Sequence, residues 1–110
     1  MADEGTITWT GGSGKEYKYW LYSIGASFKD EPGNYIFVKK TKENKWHALY
    51  IGETGSLATR LNDPDSHHKI ECVRKEGGTH ICAHLSSADE DVRRAEEADL
   101  LANRSPECQG

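Results

Sequence analysis

An α+β domain, with a small central antiparallel sheet flanked by helices, is the fold that these 110 residues predict. Three observations point to it. Short runs of alternating apolar and polar residues recur through the first half and return at residues 79–85, each bounded by a turn cluster. After Gly52 the period changes, and Leu57 and Leu61 fall four residues apart, as on one face of a helix. The last third holds a long acidic stretch at helical spacing behind Ser87-Ala88-Asp89-Glu90, a capping-box start. Strands first, then mixed strand and helix, make an α+β class.

The elements follow in order. TITWT, Thr6–Thr10, alternates β-branched and apolar residues and is a strand. The glycine-rich turn at 11–14 leads to YKYWLYSIG at 17–25, with Tyr17, Tyr19, Leu21 and Ser23 on one face and Trp20, Tyr22 and Ile24 on the other. GGSGKE does not fit the phosphate-binding G-x-x-x-x-G-K-[ST] pattern, so the turn reads as a hairpin connection. Pro32-Gly33 opens a second hairpin, with strands at 34–40 and 46–52 around TKENK. Strict alternation puts Tyr35 with Phe37 on one face, and Trp46, Ala48 and Tyr50 on one face. That parity allows Tyr35 and Tyr50 to point the same way.

Ser56 is a plausible N-cap for the helix carrying Leu57 and Leu61, which Asn62-Asp63-Pro64-Asp65 breaks. SHHKIECVRKEGG reads as a further helix, with Ile70 and Val73 as its apolar stripe and Gly77-Gly78 as its end. The last helix has Val92, Ala95, Ala98, Leu101 and Ala102 at helical spacing, with Glu96 and Glu97 at opposite edges of that arc and Pro106 as the stop. The expected organisation is one domain, 1–110: a hairpin extension at 1–31 and a core of three strands and helices at 32–109.

Composition excludes some classes. Eighteen acidic against fourteen basic side chains give a net charge of -4, which argues against general coating of DNA but leaves room for a local phosphate site. No apolar run approaches the roughly 18 residues of a membrane span, and MADEGTITW has no basic-then-apolar export pattern. Three cysteines are an odd number, so reduced thiols in a cytoplasmic protein are expected. Cys72, Cys82 and His84 lack a CxxC spacing and read as packing residues rather than zinc ligands.

Two strands bearing GNYIF and LYIGET, with Arg60 ten residues after the second tyrosine, resemble the GIY-YIG nuclease domain. That domain occurs in intron homing endonucleases, in the incision subunit of nucleotide-excision repair and in some restriction enzymes. Its second motif stands as Tyr50-Ile51-Gly52, and its first as Asn34-Tyr35-Ile36 behind Gly33. The C-terminal pattern is similar too: Glu97, Leu100, Pro106 and, in place of an asparagine, Gln109.

The resemblance implies a divalent-metal-dependent endonuclease that hydrolyses phosphodiester bonds in DNA. It implies Tyr35 as general base, Tyr50 as a partner positioning water or phosphate, and Arg60 as the clamp on the scissile phosphate. It makes Glu97 the single protein ligand of Mg or Mn. One of His67 and His68 would relay a proton or contact phosphate, with His68 set in the catalytic group and His67 in the substrate-binding group beside Gly52, Thr54 and Gln109. Two departures stand out: Glu53 follows the YIG glycine where some members carry lysine, and Gln109 is one methylene longer than asparagine. No attached DNA-binding domain is expected in this length, so specificity would come from a protein partner, from oligomerisation, or be slight. The alternative is an impaired module of the same kind that binds nucleic acid or a protein partner.

Overall fold

A computed structural model describes residues 4–110. The alternating runs become β1 (Thr6–Thr10), β2 (Glu16–Ser23), β3 (Gly33–Lys40), β4 (Trp46–Thr54) and β5 (His80–Leu85). The helices are α1 (Leu57–Leu61), α2 (Ile70–Lys75) and α3 (Glu90–Leu101), with a short 3-10 turn at Pro64–Ser66. All four strand pairings are antiparallel, in the order β1-β2-β5-β3-β4. The N-terminal hairpin is therefore not an appendage to a three-stranded core. β5 lies between β2 and β3 and joins both hairpins into one five-stranded sheet.

Each face of the sheet has its own core. On one face Tyr35, Phe37, Ile81 and Ala83 pack under Leu57 and Leu61 of α1 and Ile70 and Val73 of α2. On the other, Trp9, Tyr19, Leu21, Ile36, Val38, Ile51 and Cys82 pack with Leu100 of α3. α1 and α2 thus lie on one side and α3 on the other, consistent with period-2 side-chain alternation.

Several local expectations change. The strict alternation predicted for 46–52 fails because the β3–β4 register slips between Phe37 and Val38: Phe37 faces Tyr50, and Val38 faces Ala48. The extra residue reverses parity at that point. Ala48 and Trp46 pack on the α3 side, while Leu49 and Tyr50 pack with Tyr35 and Phe37. The bulge parts Trp46 and Ala48 from the face of Tyr50, while the regular pairing on its other side keeps Tyr35 and Tyr50 on one face.

The helix expected over SHHKIECVRKEGG is only Ile70–Lys75, because Pro64 opens a 3-10 turn and His67 leaves the helical region with ψ 131°. Ser56 does cap α1, accepting a hydrogen bond from the Thr59 amide. Ser87 does not cap α3. Asp89 does, accepting from Asp91 N–H, and the Ser87 hydroxyl accepts from Asp89 N–H instead. α3 ends at Leu101, five residues before Pro106. Its inward face is Arg93, Glu96 and Leu100, whereas Val92, Ala95, Ala98 and Ala102 are exposed. Ionic partners waiting on the sheet outbid a run of small alanines that would bury little area.

The expectation of three reduced cysteines is also corrected. Cys72 on α2 and Cys108 near the C-terminus form a disulfide across 36 residues of sequence, and Cys82 alone is a free, buried thiol. No spacing motif could announce that pair, since the fold brings its two Cα atoms to 5.8 Å. Among the described residues no helix is long and apolar enough to cross a membrane.

The glycine-rich turn at 11–14 docks on α3. Ser13 N–H and hydroxyl donate to Asp99 at 2.9 and 2.8 Å, and Gly12 N–H donates to the Asp99 carbonyl at 2.8 Å. A Cβ at Gly11 would sit 2.1 Å from the Asp99 carboxylate, so only glycine allows this approach. The turn's glycines serve packing, as the missing phosphate-loop pattern suggests.

Candidate active site

Cross-strand register builds the site. Tyr35 lies opposite Gly52, and Phe37 opposite Tyr50, so all four share the face beneath α1 and α2. The Tyr35 and Tyr50 rings lie 6.1 Å apart between centroids. Gly52 has a steric reason to be glycine: a Cβ there would stand 2.6 Å from the Tyr35 ring and hydroxyl. The tyrosine of the first strand and the glycine of the second are thus one packing unit.

Arg60 and His67 converge on the Tyr35 hydroxyl. Arg60 Nη1 donates to it at 3.4 Å, and His67 Nε2 lies 2.8 Å from it. The Lys69 backbone N–H donates to His67 Nδ1 at 3.0 Å. A neutral imidazole so engaged carries its proton on Nε2, which therefore donates to the phenol oxygen. Burial first, then the neighbouring His68 and Arg60, hold His67 down at about 4, so it is neutral near pH 7. The Tyr35 oxygen thus accepts two hydrogen bonds, an arrangement that favours phenolate.

Burial works against that. It raises the Tyr35 phenol above its ordinary value, the nearby Tyr50 adds to the rise, and Arg60 opposes it. Tyr50, half-buried, is raised by burial first and by the Glu97 charge second, again opposed by Arg60. Of the two histidines, buried His67 meets the phenol, whereas exposed His68 stacks on His67 at 4.7 Å and meets Tyr50 edge-on at 5.7 Å.

Glu97 belongs to α3, yet its charge is felt by Tyr50 and Glu53, both of the edge strand β4. Burial, then Glu53, push its carboxyl upward against the opposing charge of Arg94. Among the described residues it forms no ion pair and no hydrogen bond, and Arg60 has no carboxylate partner. Glu53 is different: Arg93 Nε binds it at 2.9 Å, and Arg94 lies 3.8 Å away. Its charge is therefore neutralised locally.

The remaining expected residues are structural neighbours. The Gln109 amide pairs with both backbone groups of Ile51, N–H to Oε1 and Nε2–H to the carbonyl, each at 2.8 Å. It completes the exposed edge of β4 as another strand would. Thr54 Oγ1 donates to the Ser56 carbonyl and accepts from Ser56 N–H, which shapes the turn into α1. Asn34, directly before Tyr35, is fully buried on the α3 side and donates to the Arg93 carbonyl at 3.0 Å.

No group of three or more His, Cys, Asp or Glu side chains that could hold a metal occurs among the described residues. A lone carboxylate still suits magnesium, which retains several waters and binds phosphate oxygens directly. Glu97, half-buried with no cation beside it within bonding distance, has that donor chemistry. Arg93 was missed from sequence, where DEDVRRAEEAD reads as surface charge. Its role as the clamp on Glu53 appears only when α3 lies against β4.

No family model, curated protein or solved structure matches the chain.

Proposed function

We propose that this protein is a divalent-metal-dependent endonuclease that hydrolyses phosphodiester bonds in DNA. The observation that carries this reading is the Tyr35 oxygen held by His67 and Arg60, next to the ring of Tyr50, which in turn feels the charge of the unpaired Glu97 carboxylate. Hydrolysis forms a bond between a water oxygen and phosphorus, breaks the bond to the leaving oxygen, and moves one proton from the water toward a base. As phenolate, a form that the donors from His67 and Arg60 favour and that burial opposes, Tyr35 would be the acceptor of that proton. Arg60, with no carboxylate of its own, supplies planar donors to the phosphate oxygens as they gain charge. Tyr50, its ring 6.1 Å from that of Tyr35, orients water or phosphate beside it. A magnesium or manganese ion on Glu97 would supply charge to offset that of the phosphate.

Nicking of supercoiled plasmid with magnesium or manganese tests the proposal. Cleavage should appear with metal, vanish with chelator, and fall at least a hundredfold in Tyr35→Phe, whose fold should survive. A protein that nicks equally well with phenylalanine at this position rules out Tyr35 as the base. The burial that raises Tyr35 favours a second reading, an impaired module that only binds nucleic acid or a protein partner. DNA binding with no metal-dependent nicking at any pH up to 10 would favour that module.

A further inference from the structure

The register that aligns the candidate site continues across the sheet. Trp20 on β2 lies opposite Ala83, Ala83 opposite Tyr35, and Tyr35 opposite Gly52, in one row along the α1 face. Tyr22 heads the next row, through Ile81 and Phe37 to Tyr50. Two strand spacings separate Trp20 from Tyr35, about 10 Å. Between them the small side chain of Ala83 floors a groove of about 490 Å³ walled by Trp20, Tyr22, Phe28, Leu57 and Lys29.

α1 and α2 cover the β3–β4 half of this face, and the β1–β2 half is open. There Trp20 stays 37% exposed, large for an aromatic side chain with a core available on the opposite face. Tyr22 meets Phe28 edge-on at 5.0 Å. Phe28 is pinned to α1 by Asn62, whose side chain accepts from Phe28 N–H and donates to its carbonyl. Lys18 Nζ lies 5.3 Å over the Trp20 ring, and exposed Lys29 sits at the groove's rim. Neither lysine forms an ion pair among the described residues.

Flat aromatic faces beside unpaired cations on an open sheet match one ligand chemistry, an unstacked base on a charged backbone. An apolar peptide would not need the lysines, and a duplex would keep its bases stacked away from the rings. Resting on the proposed activity, we propose that the groove holds an unpaired base of the DNA strand that runs on from the phosphodiester at Tyr35 and Arg60. The substrate class is then DNA with a single-stranded segment next to the cut, read by stacking and not by sequence.

The test measures binding without divalent metal, so cleavage does not enter. The full chain is titrated with a labelled oligothymidylate and with a blunt duplex of equal length, following anisotropy and tryptophan fluorescence. The single strand should bind about tenfold more tightly than the duplex and quench emission. Trp20→Ala should lose about tenfold in single-strand affinity, while Trp20→Phe, which keeps a ring, should recover most of it. Lys29→Glu, on an exposed loop that carries little risk to folding, should weaken binding and flatten its salt dependence.

Equal affinity for blunt duplex overturns the proposal, as does single-strand binding indifferent to both Trp20→Ala and Lys29→Glu. Self-association that buries Trp20, seen by sedimentation, overturns it in favour of a second copy. The two readings fail separately. Single-strand binding lost in Trp20→Ala, with no nicking in the wild type, sinks the nuclease and upholds the groove. Nicking with no contribution from Trp20 sinks the groove alone.

Discussion

Glu96 and Glu97 are neighbours on α3, and each leads to a cluster built from tyrosine, histidine and arginine, yet the clusters have opposite character. Glu96, buried, accepts from the Tyr19 hydroxyl and meets His84 Nε2 at 2.6 Å, while Arg93 one turn earlier meets Glu53. Every charge there is matched, and Arg93 also donates to the Ser87 and Ala88 carbonyls. On the Glu97 side, Arg60 and Glu97 have no ionic partners among the described residues. A saturated buried network holds a fold in one arrangement, whereas unmatched charge is free to meet a ligand. Residue types alone do not separate these two roles; the unfilled bonding capacity does.

Paired substitutions break the comparison most directly. Glu97→Gln should cut metal-dependent nicking by about a thousandfold with an unchanged melting temperature. Glu96→Ala should keep the rate but lose about 1–3 kcal/mol of stability in denaturant titration, because Tyr19 and His84 lose their acceptor. The reverse pattern would exchange the two clusters. Next in size, Arg60→Ala should lower turnover by about a hundredfold while DNA affinity, by anisotropy, changes little. An unchanged rate would remove Arg60 from the site.

Gly52→Ala tests whether the tyrosine–glycine contact matters for packing. The new methyl meets the buried Tyr35 ring, and a loss of about 1–3 kcal/mol is expected in urea unfolding. The smallest effect concerns His67. Its folded value of about 4 lies below the ordinary 6.5, so the unfolded chain takes up the proton first as pH falls. Its contribution is complete above about pH 6.5 and is lost as pH falls toward 4. The melting-temperature advantage of wild type over His67→Gln should therefore shrink by a few degrees across that window. A constant difference would mean that His67 titrates normally.

Much of the fold is legible in the order of residues. Five alternating runs become five strands, and Ser56 caps α1 as its side chain allows. The contact of the Tyr35 ring with the Gly52 backbone is visible only across the ladder. Misreadings cluster where a distant partner decides. The buried face of α3 is chosen by Glu53, Tyr19 and His84, and the face of Trp46 and Ala48 by a bulge. The choice of His67 over His68 follows from a turn that Pro64 opens.

By itself the sequence determined the class of fold and the set of strands, because period and composition are local properties. Tertiary structure alone decided which glutamate is satisfied and which is free, which cysteines join, and which histidine touches the phenol. Those outcomes depend on groups brought together from far apart in the chain, and a hydrogen bond or ion pair exists only once both ends have been placed.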